Sequence, residues 1–334
     1  MENHVKDFIL IFTSILYEAM PFIVLGAVVA GILEELVPQR AIARLIPRSR
    51  LLAIAIGGLL GLLFPMCECG IIPVMRRLIR KGLPLSCCIA YILAGPIINV
   101  VVLLSTFVAF SNFTPIGKYD YQVTAPWMVT LRAGLGYIIA VLTALLVDRL
   151  YQKHGNTLLT PLATPPPEAA AEEAREEKEE ARRPFFQRLA NISETALHDF
   201  IDITVFLCLG ALLAATVKIW LTHDAIEQLS RHYAIGTILL MMGVAIGLCL
   251  CSEADAFVAA SFTKMIPAAK LSFLVLGPML DFKLYFMYTR VFRPRLIWTV
   301  FSSVIVQVFV YSVVMHLLWE HTHWLDFMLI RSGS

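Results

Sequence analysis

The sequence predicts an all-α, polytopic membrane protein built from two inverted repeats. Three observations carry that prediction: the composition, a Cys-x-Cys motif that recurs at a fixed spacing, and the placement of basic residues. The 334 residues are 58% hydrophobic and only 16% charged, with a mean hydropathy of +0.76, whereas a soluble domain is about half apolar and about a quarter charged. The excess is gathered into runs at 8–33, 51–66, 83–110, 125–147, 198–220, 234–250, 271–289 and 297–319, most of them long enough to cross a bilayer as a helix. The formal net charge of +2, from 27 basic and 25 acidic residues, offers no electrostatic footprint for nucleic acid, and no such partner is expected.

The first run follows Met1-Glu-Asn-His-Val-Lys-Asp7 directly. It is too long and too poorly flanked for a cleaved signal peptide, so it is read as a retained helix. Midway along the chain, Pro165-Pro-Pro167 leads into the charge-rich stretch Glu168 to Arg183. Three consecutive prolines cannot be helical, and a run of mixed charge is a solvated tether. The expected organisation is therefore a first transmembrane repeat at 1–150, a charged cytoplasmic linker at 151–190 and a second transmembrane repeat at 191–334.

Laying one half over the other exposes the repeat. Cys67-Glu-Cys69 matches Cys249-Leu-Cys251, and each motif is followed 26 residues after its second cysteine by Gly-Pro, at Gly95-Pro96 and Gly277-Pro278. Both features share an offset of 182 residues. Four residues beyond each glycine stands a polar residue in apolar surroundings, Asn99 or Asp281. Upstream, Leu25-Gly-Ala-Val-Val-Ala30 resembles Leu209-Gly-Ala-Leu-Leu-Ala214, each with an acidic residue eight before its glycine, Glu18 or Asp202.

Basic residues then set the topology. They cluster at Arg40, Arg44, Arg48 and Arg50, at Arg76, Arg77, Arg80 and Lys81, from Arg149 to Arg188, and at Arg290, Arg293 and Arg295, while 111–124 and 221–233 carry few. Lys and Arg collect on the cytoplasmic side. All four clusters reach that side only if 51–75 dips in and returns as a re-entrant hairpin with its turn near Pro65 to Gly70. The same treatment makes 234–263 a hairpin from the opposite side, turning near Cys249 to Glu253. Each half then has three spans plus a hairpin, giving six spans, inverted halves and both termini outside. Gly95-Pro96 and Gly277-Pro278 are the expected helix breaks, because proline removes a backbone donor. A bundle of eight to ten full, kinked helices is the competing arrangement.

Broken elements of two inverted repeats meeting near the midplane form the substrate sites of secondary transporters. At the two hairpin tips stand Cys67, Cys69, Cys249 and Cys251. Thiolates select soft partners such as Cu(I), Zn(II) or trivalent arsenic, and exchangeable ligation suits transient metal contact better than a closed structural site. Carboxylates in a membrane are costly and mark function. Glu68, Glu253 and Asp281 join the cysteines and Asn99 as candidate substrate contacts, and Glu18, Asp202 and Asp255 are candidates for proton coupling. Lys283, two residues from Asp281, offers a merely neutralising alternative, and Arg132 is expected either to pair with one of the acids or to snorkel outward. Cys87, Cys88 and Cys208 read as small hydrophobes. No Gly-x-x-x-x-Gly-Lys-Ser/Thr loop, His-Glu-x-x-His or Gly-x-Ser-x-Gly occurs, so neither an ATP-driven pump of that class nor an enzyme is expected, and no cofactor.

Phe64-Pro-Met-Cys-Glu-Cys-Gly-Ile-Ile-Pro-Val74, Lys81-Gly-Leu-Pro-Leu-Ser86, Ala94 to Leu104, Leu248 to Asp255 and Leu276 to Asp281 together resemble the bacterial predicted-permease family that includes the organoarsenical efflux permeases, also labelled DUF318. The resemblance covers both apolar halves and omits the linker. It implies a multi-pass inner-membrane permease exporting thiophilic species, either trivalent organoarsenicals or zinc or copper, with Cys67, Cys69, Gly95, Pro96, Asn99 and their second-half counterparts matching. Glu68, between the two cysteines, favours a harder, charged cargo. Expected partners are a small-molecule or ion substrate, the lipid bilayer, and a second membrane protein or a second copy of the chain. The alternatives are a membrane thiol oxidoreductase and a non-transporting membrane partner protein.

Overall fold

The computed structural model describes residues 2–36, 47, 49–63, 66–111, 121–160, 185–220, 234–262, 265–321 and 329–331. Arg40, Arg44, Arg48, Pro65 at the start of the first expected tip, the Pro165–Pro167 and charged stretches, and loop 221–233 lie outside the described residues.

Each half runs through the same order of elements. The first comprises α1 (Glu2–Leu36), α2 (Arg50–Leu63), α3 (Glu68–Arg80), α4 (Leu85–Ile98), α5 (Val100–Ser111) and α6 (Ala125–His154). The second comprises α7 (Phe185–Trp220), α8 (Ala234–Leu248), α9 (Asp255–Ser261), α10 (Pro267–Leu276), α11 (Phe282–Tyr288) and α12 (Pro294–His321). A long helix opens each half, four short helices follow, and a long helix closes it. Proline starts equivalent helices in the two halves: Pro84 precedes α4 as Pro267 opens α10, and Pro126 lies in the first turn of α6 as Pro294 opens α12. Proline belongs in a first turn, where its missing N–H is no loss.

Five helical stretches among the described residues are long and apolar enough to cross a membrane: Val5–Leu33, Leu85–Ser111, Ala125–His154, Phe186–Thr216 and Pro294–Glu320. The sixth expected span, 271–289, is divided between α10 and α11. The molecule is a multi-pass, almost entirely helical membrane protein. A two-stranded antiparallel pair, β1 (Tyr121–Val123) with β2 (Leu329–Arg331), departs from the all-α expectation and ties the segment after α5 to the segment after α12.

The breaks differ from expectation in one half. In the first, the helix runs straight through Gly95-Pro96 and ends at Asn99, whose extended backbone (ψ 134°) separates α4 from α5. Proline disfavours a helical residue before it through its Cδ, and a glycine has no Cβ to clash. Gly95 serves packing instead. A Cβ on Gly61 of α2 would collide with the Gly95 backbone, so the two helices touch through bare glycines, the small-residue contact that lets membrane helices approach closely. In the second half α10 ends at Leu276, a turn follows, and the extended Asp281 (φ −146°, ψ 176°) starts α11. Asn99 and Asp281 thus occupy the same place in their halves. Val101 N–H donates to Asn99 Oδ1 at 3.0 Å, and Leu284 N–H to Asp281 Oδ1 at 2.6 Å, so each side chain caps the helix that restarts after it.

Equivalent helices pair with each other: α1 lies along α7, and α6 along α12. Gly31, near the end of α1, abuts Ile192, near the start of α7, so the first pair is antiparallel. The cross-contacts also match, with α3 on α11 and α9 on α5. At one end of the molecule, Asp148 of α6 accepts from Ser86 at the start of α4 and lies 3.6 Å from Arg50 at the start of α2. The chain beyond α6, within the expected linker, pairs with the turn after α11: Arg293 N–H donates to the Leu158 carbonyl, and Thr160 N–H to that of Val291.

Candidate functional site

Five of the expected substrate-contact residues converge. Cys67 precedes α3, and Glu68 and Cys69 form its first turn. Cys249 and Cys251 stand in the non-helical segment between α8 and α9. Cys249 adopts φ +48°, alone among the described non-glycine residues, which turns the chain sharply out of α8. The four thiols, Glu68, and Ile15, Glu18 and Ala19 of α1 line one cavity of about 10 Å³ together with Lys283, room for about one water at most. Glu18 lies halfway along α1, and Lys283 abuts Gly210 in the second half of α7, so the cavity sits between these two long helices, well away from their ends. The cavity brings thiols of the first tip, Cys67 and Cys69, together with thiols of the second, Cys249 and Cys251. All seven cysteines are thiols.

The cation at this point is Lys283, from the first turn of α11. Its Nζ donates to Glu68 Oε1 at 2.7 Å and lies 3.5 Å from Asp281 Oδ2. Sequence proximity suggested Asp281 as its neutralising partner; the closer one is Glu68, 215 residues away. All three groups are buried, at 1% exposure for Glu68 and Asp281 and 3% for Lys283. Buried charges persist only when paired and hydrogen-bonded. Among the described residues, no three His, Cys, Asp or Glu side chains surround a common point as a metal site. The ammonium of Lys283 fills the space between the carboxylates that a cation would need.

A second polar chain extends from this pair. Ser252 Oγ lies 3.5 Å from Glu68 Oε2, and the Ser252 carbonyl accepts from Arg132 Nη2 at 2.9 Å. Arg132, wholly buried in α6, also donates to Asp255 Oδ2 at 2.8 Å and to Thr106 Oγ1 at 2.7 Å. Of the two expectations for Arg132, pairing with an acid is the one observed. The guanidinium fixes the second tip against α5 and α6. Two buried cations thus face three buried carboxylates, every one of them bonded across the two halves or to a neighbour that is.

The remaining candidates lie apart or at the margin. Glu253 is partly exposed and is not among the residues lining the cavity. Asn99 caps α5 and does not line the cavity. Asp202 lies on α7, where it accepts from Arg290 Nη2 at 2.5 Å and is 3.6 Å from Arg76 Nη1. One turn away, Asp199 holds Arg77 through two hydrogen bonds of 3.2 and 3.0 Å. The sequence reading missed Asp199; the signal available was its i, i+3 spacing from Asp202, which puts both on one helix face.

Residues 4–317 match the model of a family described as a predicted permease. The chain is similar to the UPF0718 protein YcgR of Bacillus subtilis, 35% identical over 298 residues covering 89% of this chain and 92% of that relative. It is also similar to a putative two-component membrane permease complex subunit of Streptococcus mutans, 30% identical over 301 residues, or 88% of this chain and 91% of the relative. No solved structure matches the chain.

Proposed function

The chain belongs to the predicted permease family, and from that premise we propose that it is a secondary permease exporting a thiophilic metal, metalloid or organometalloid across the bacterial inner membrane by alternating access. The observation that carries this reading is the meeting of Cys67, Cys69, Cys249 and Cys251, drawn from equivalent points of the two halves, in one buried cavity with Glu68 and Lys283. Four soft sulfurs beside a carboxylate favour soft cations and trivalent arsenic over Mg or Ca. In this reading cargo takes the space that Lys283 fills, Glu68 and the thiols contact it, and Glu18, Glu253 and Asp255 are candidates to exchange protons.

The topology fits. Antiparallel pairing of α1 with α7 suits inverted repeats. The joint approach of Arg50 and Ser86 to Asp148 suits a first tip that enters and returns on the basic, cytoplasmic side, because α3 ends only a short turn before α4 begins. Non-helical backbone at mid-depth is tolerated where protein buries it or a wet cavity runs beside it. A second membrane protein belongs to the working complex in this reading, in keeping with the name of the Streptococcus mutans relative as a putative subunit of a two-component membrane permease complex.

The test is flux. Purified protein in proteoliposomes would be challenged with Zn(II), Cu(I), arsenite and a methylated trivalent arsenical, beside a Cys67/Cys69/Cys249/Cys251→Ala variant. Selective flux that disappears in the variant supports the reading and names the cargo. Flux indifferent to all four substitutions refutes it.

A further inference from the structure

We propose that Asp199 and Asp202 of α7 are the cytoplasmic gate of this permease: they hold together the far ends of the two short helices that carry Glu68 and Lys283, and cargo enters only when that hold is released. The inference rests on the permease reading above and adds to it a gate in residues outside the cavity.

The lattice joins the halves. Arg77 binds Asp199 Oδ2 through Nε and Nη2, Arg76 Nη1 stands 3.4 Å from Asp199 Oδ1 and 3.6 Å from Asp202 Oδ2, and Arg290 donates to Asp202 Oδ1. Arg76 and Arg77 lie in α3, whose first residue is Glu68. Arg290 follows α11, whose first turn carries Lys283. From Glu68 to Arg76, and from Lys283 to Arg290, a helical rise covers about 10–12 Å. The same two helices are therefore pinned at both ends, by Glu68–Lys283 inside the membrane and by the aspartates toward the basic side. Between the two levels lies a narrow cavity of about 20 Å³, walled by Ile72, Pro73, Phe206 and Met287 among others and closed at the charged end by Arg76, Asp202 and Arg290.

Two features separate a gate from a permanent clamp. The elements held are short helices with non-helical residues beside the cavity, at 66–67 before α3 and 277–281 before α11, so each can tilt as a unit without unwinding. One of the pairs also has water to turn to, because the Arg290 side chain is 33% exposed and that of Asp202 21%, whereas Asp199 with Arg76 and Arg77 is the buried side of the hold. Parting an ion pair into solvent costs far less than stranding it in a dry interior.

The experiment uses full-length protein in inside-out membrane vesicles. A membrane-impermeant maleimide is applied to the cytoplasmic face, and modification of Cys67 and Cys69 is read by mass spectrometry of their peptide. The Asp199→Asn/Asp202→Asn variant is expected to raise labelling from this face about ten-fold, the population change produced by about 1.4 kcal/mol. The swapped pair Arg77→Asp/Asp199→Arg should return it toward the parent. Unchanged labelling, an equal rise from both faces, or a rise confined to the opposite face would overturn the gate. Should the double variant fail to insert, Asp202→Asn alone tests the same direction at a partly exposed site. The readout needs no cargo. Labelling as expected without flux of any cargo keeps the gate and sinks the soft-cargo reading, whereas unchanged labelling with cysteine-dependent flux sinks the gate alone.

Discussion

Replacing Lys283 with methionine keeps the length and apolar stem of the side chain and removes only its charge. At an effective dielectric of about 20, the attraction at 2.7 Å to Glu68 is about 6 kcal/mol and that at 3.5 Å to Asp281 about 5 kcal/mol. Desolvation of all three groups opposes these gross figures, and removing one member of a buried pair costs about 3–5 kcal/mol net. K283M should therefore destabilise the protein by about 3–5 kcal/mol. E68Q should cost less, about 1–3 kcal/mol, because Lys283 keeps Asp281 as a partner. The double variant leaves no stranded carboxylate at position 68, so the two effects should fall short of their sum by about 2 kcal/mol. Unfolding by SDS titration in mixed micelles measures all three. If K283M costs the same in the E68Q background as in the parent, within about 0.5 kcal/mol, the two groups are not coupled and the central role given to this pair is wrong.

Gly61→Ala should cost about 1–3 kcal/mol, because its methyl meets the Gly95 backbone, which cannot step aside as a flexible side chain could. Gly134→Ala, with nothing within 4 Å of the new methyl, should be neutral or stabilising by up to about 1 kcal/mol; equal costs for the two in the same unfolding titration would refute the close contact of α2 with α4. Arg132→Met should release the second tip by removing its bonds to the Ser252 carbonyl and Asp255. Maleimide should then modify Cys251 about ten-fold faster, for a loss of about 1.4 kcal/mol in local closure; an unchanged rate would mean that α8 and α9 hold the tip without the guanidinium.

Local features were legible before any coordinates. The paired cysteine motifs at a fixed offset, the polar residue four beyond each Gly-Pro glycine, and the long apolar runs identified the two halves, and the cysteines marked residues that meet, while Asn99 proved to be a helix cap outside the cavity. What stayed hidden depends on contacts between distant parts of the chain. Lys283 lies two residues from Asp281 in sequence, yet its short bond runs to Glu68, because α3 and α11 meet at their first turns. Pro96 reads as a breaker by its chemistry, and only the absence of a Cβ at Gly95 and the cap at Asn99 move the break downstream. Asp199 looks like an ordinary acid at the edge of an apolar run until α3 brings two arginines to it. Residues of one type in one pattern announce themselves, while pairings between halves require the packing.

The ions inside this protein also constrain how it is made. The first half is synthesised carrying Glu68 and Arg132, whose partners Lys283 and Asp255 follow 215 and 123 residues later. A nascent chain emerges at about 5–20 residues per second, so the Glu68 carboxylate waits on the order of ten to forty seconds for its lysine. Through that interval neither charge can settle into lipid, where an unpaired ion is costly, and the early helices must shelter in the insertion machinery or at the water boundary. Completion of the bundle is thereby tied to arrival of the second half, which alone carries the partners of Glu68 and Arg132.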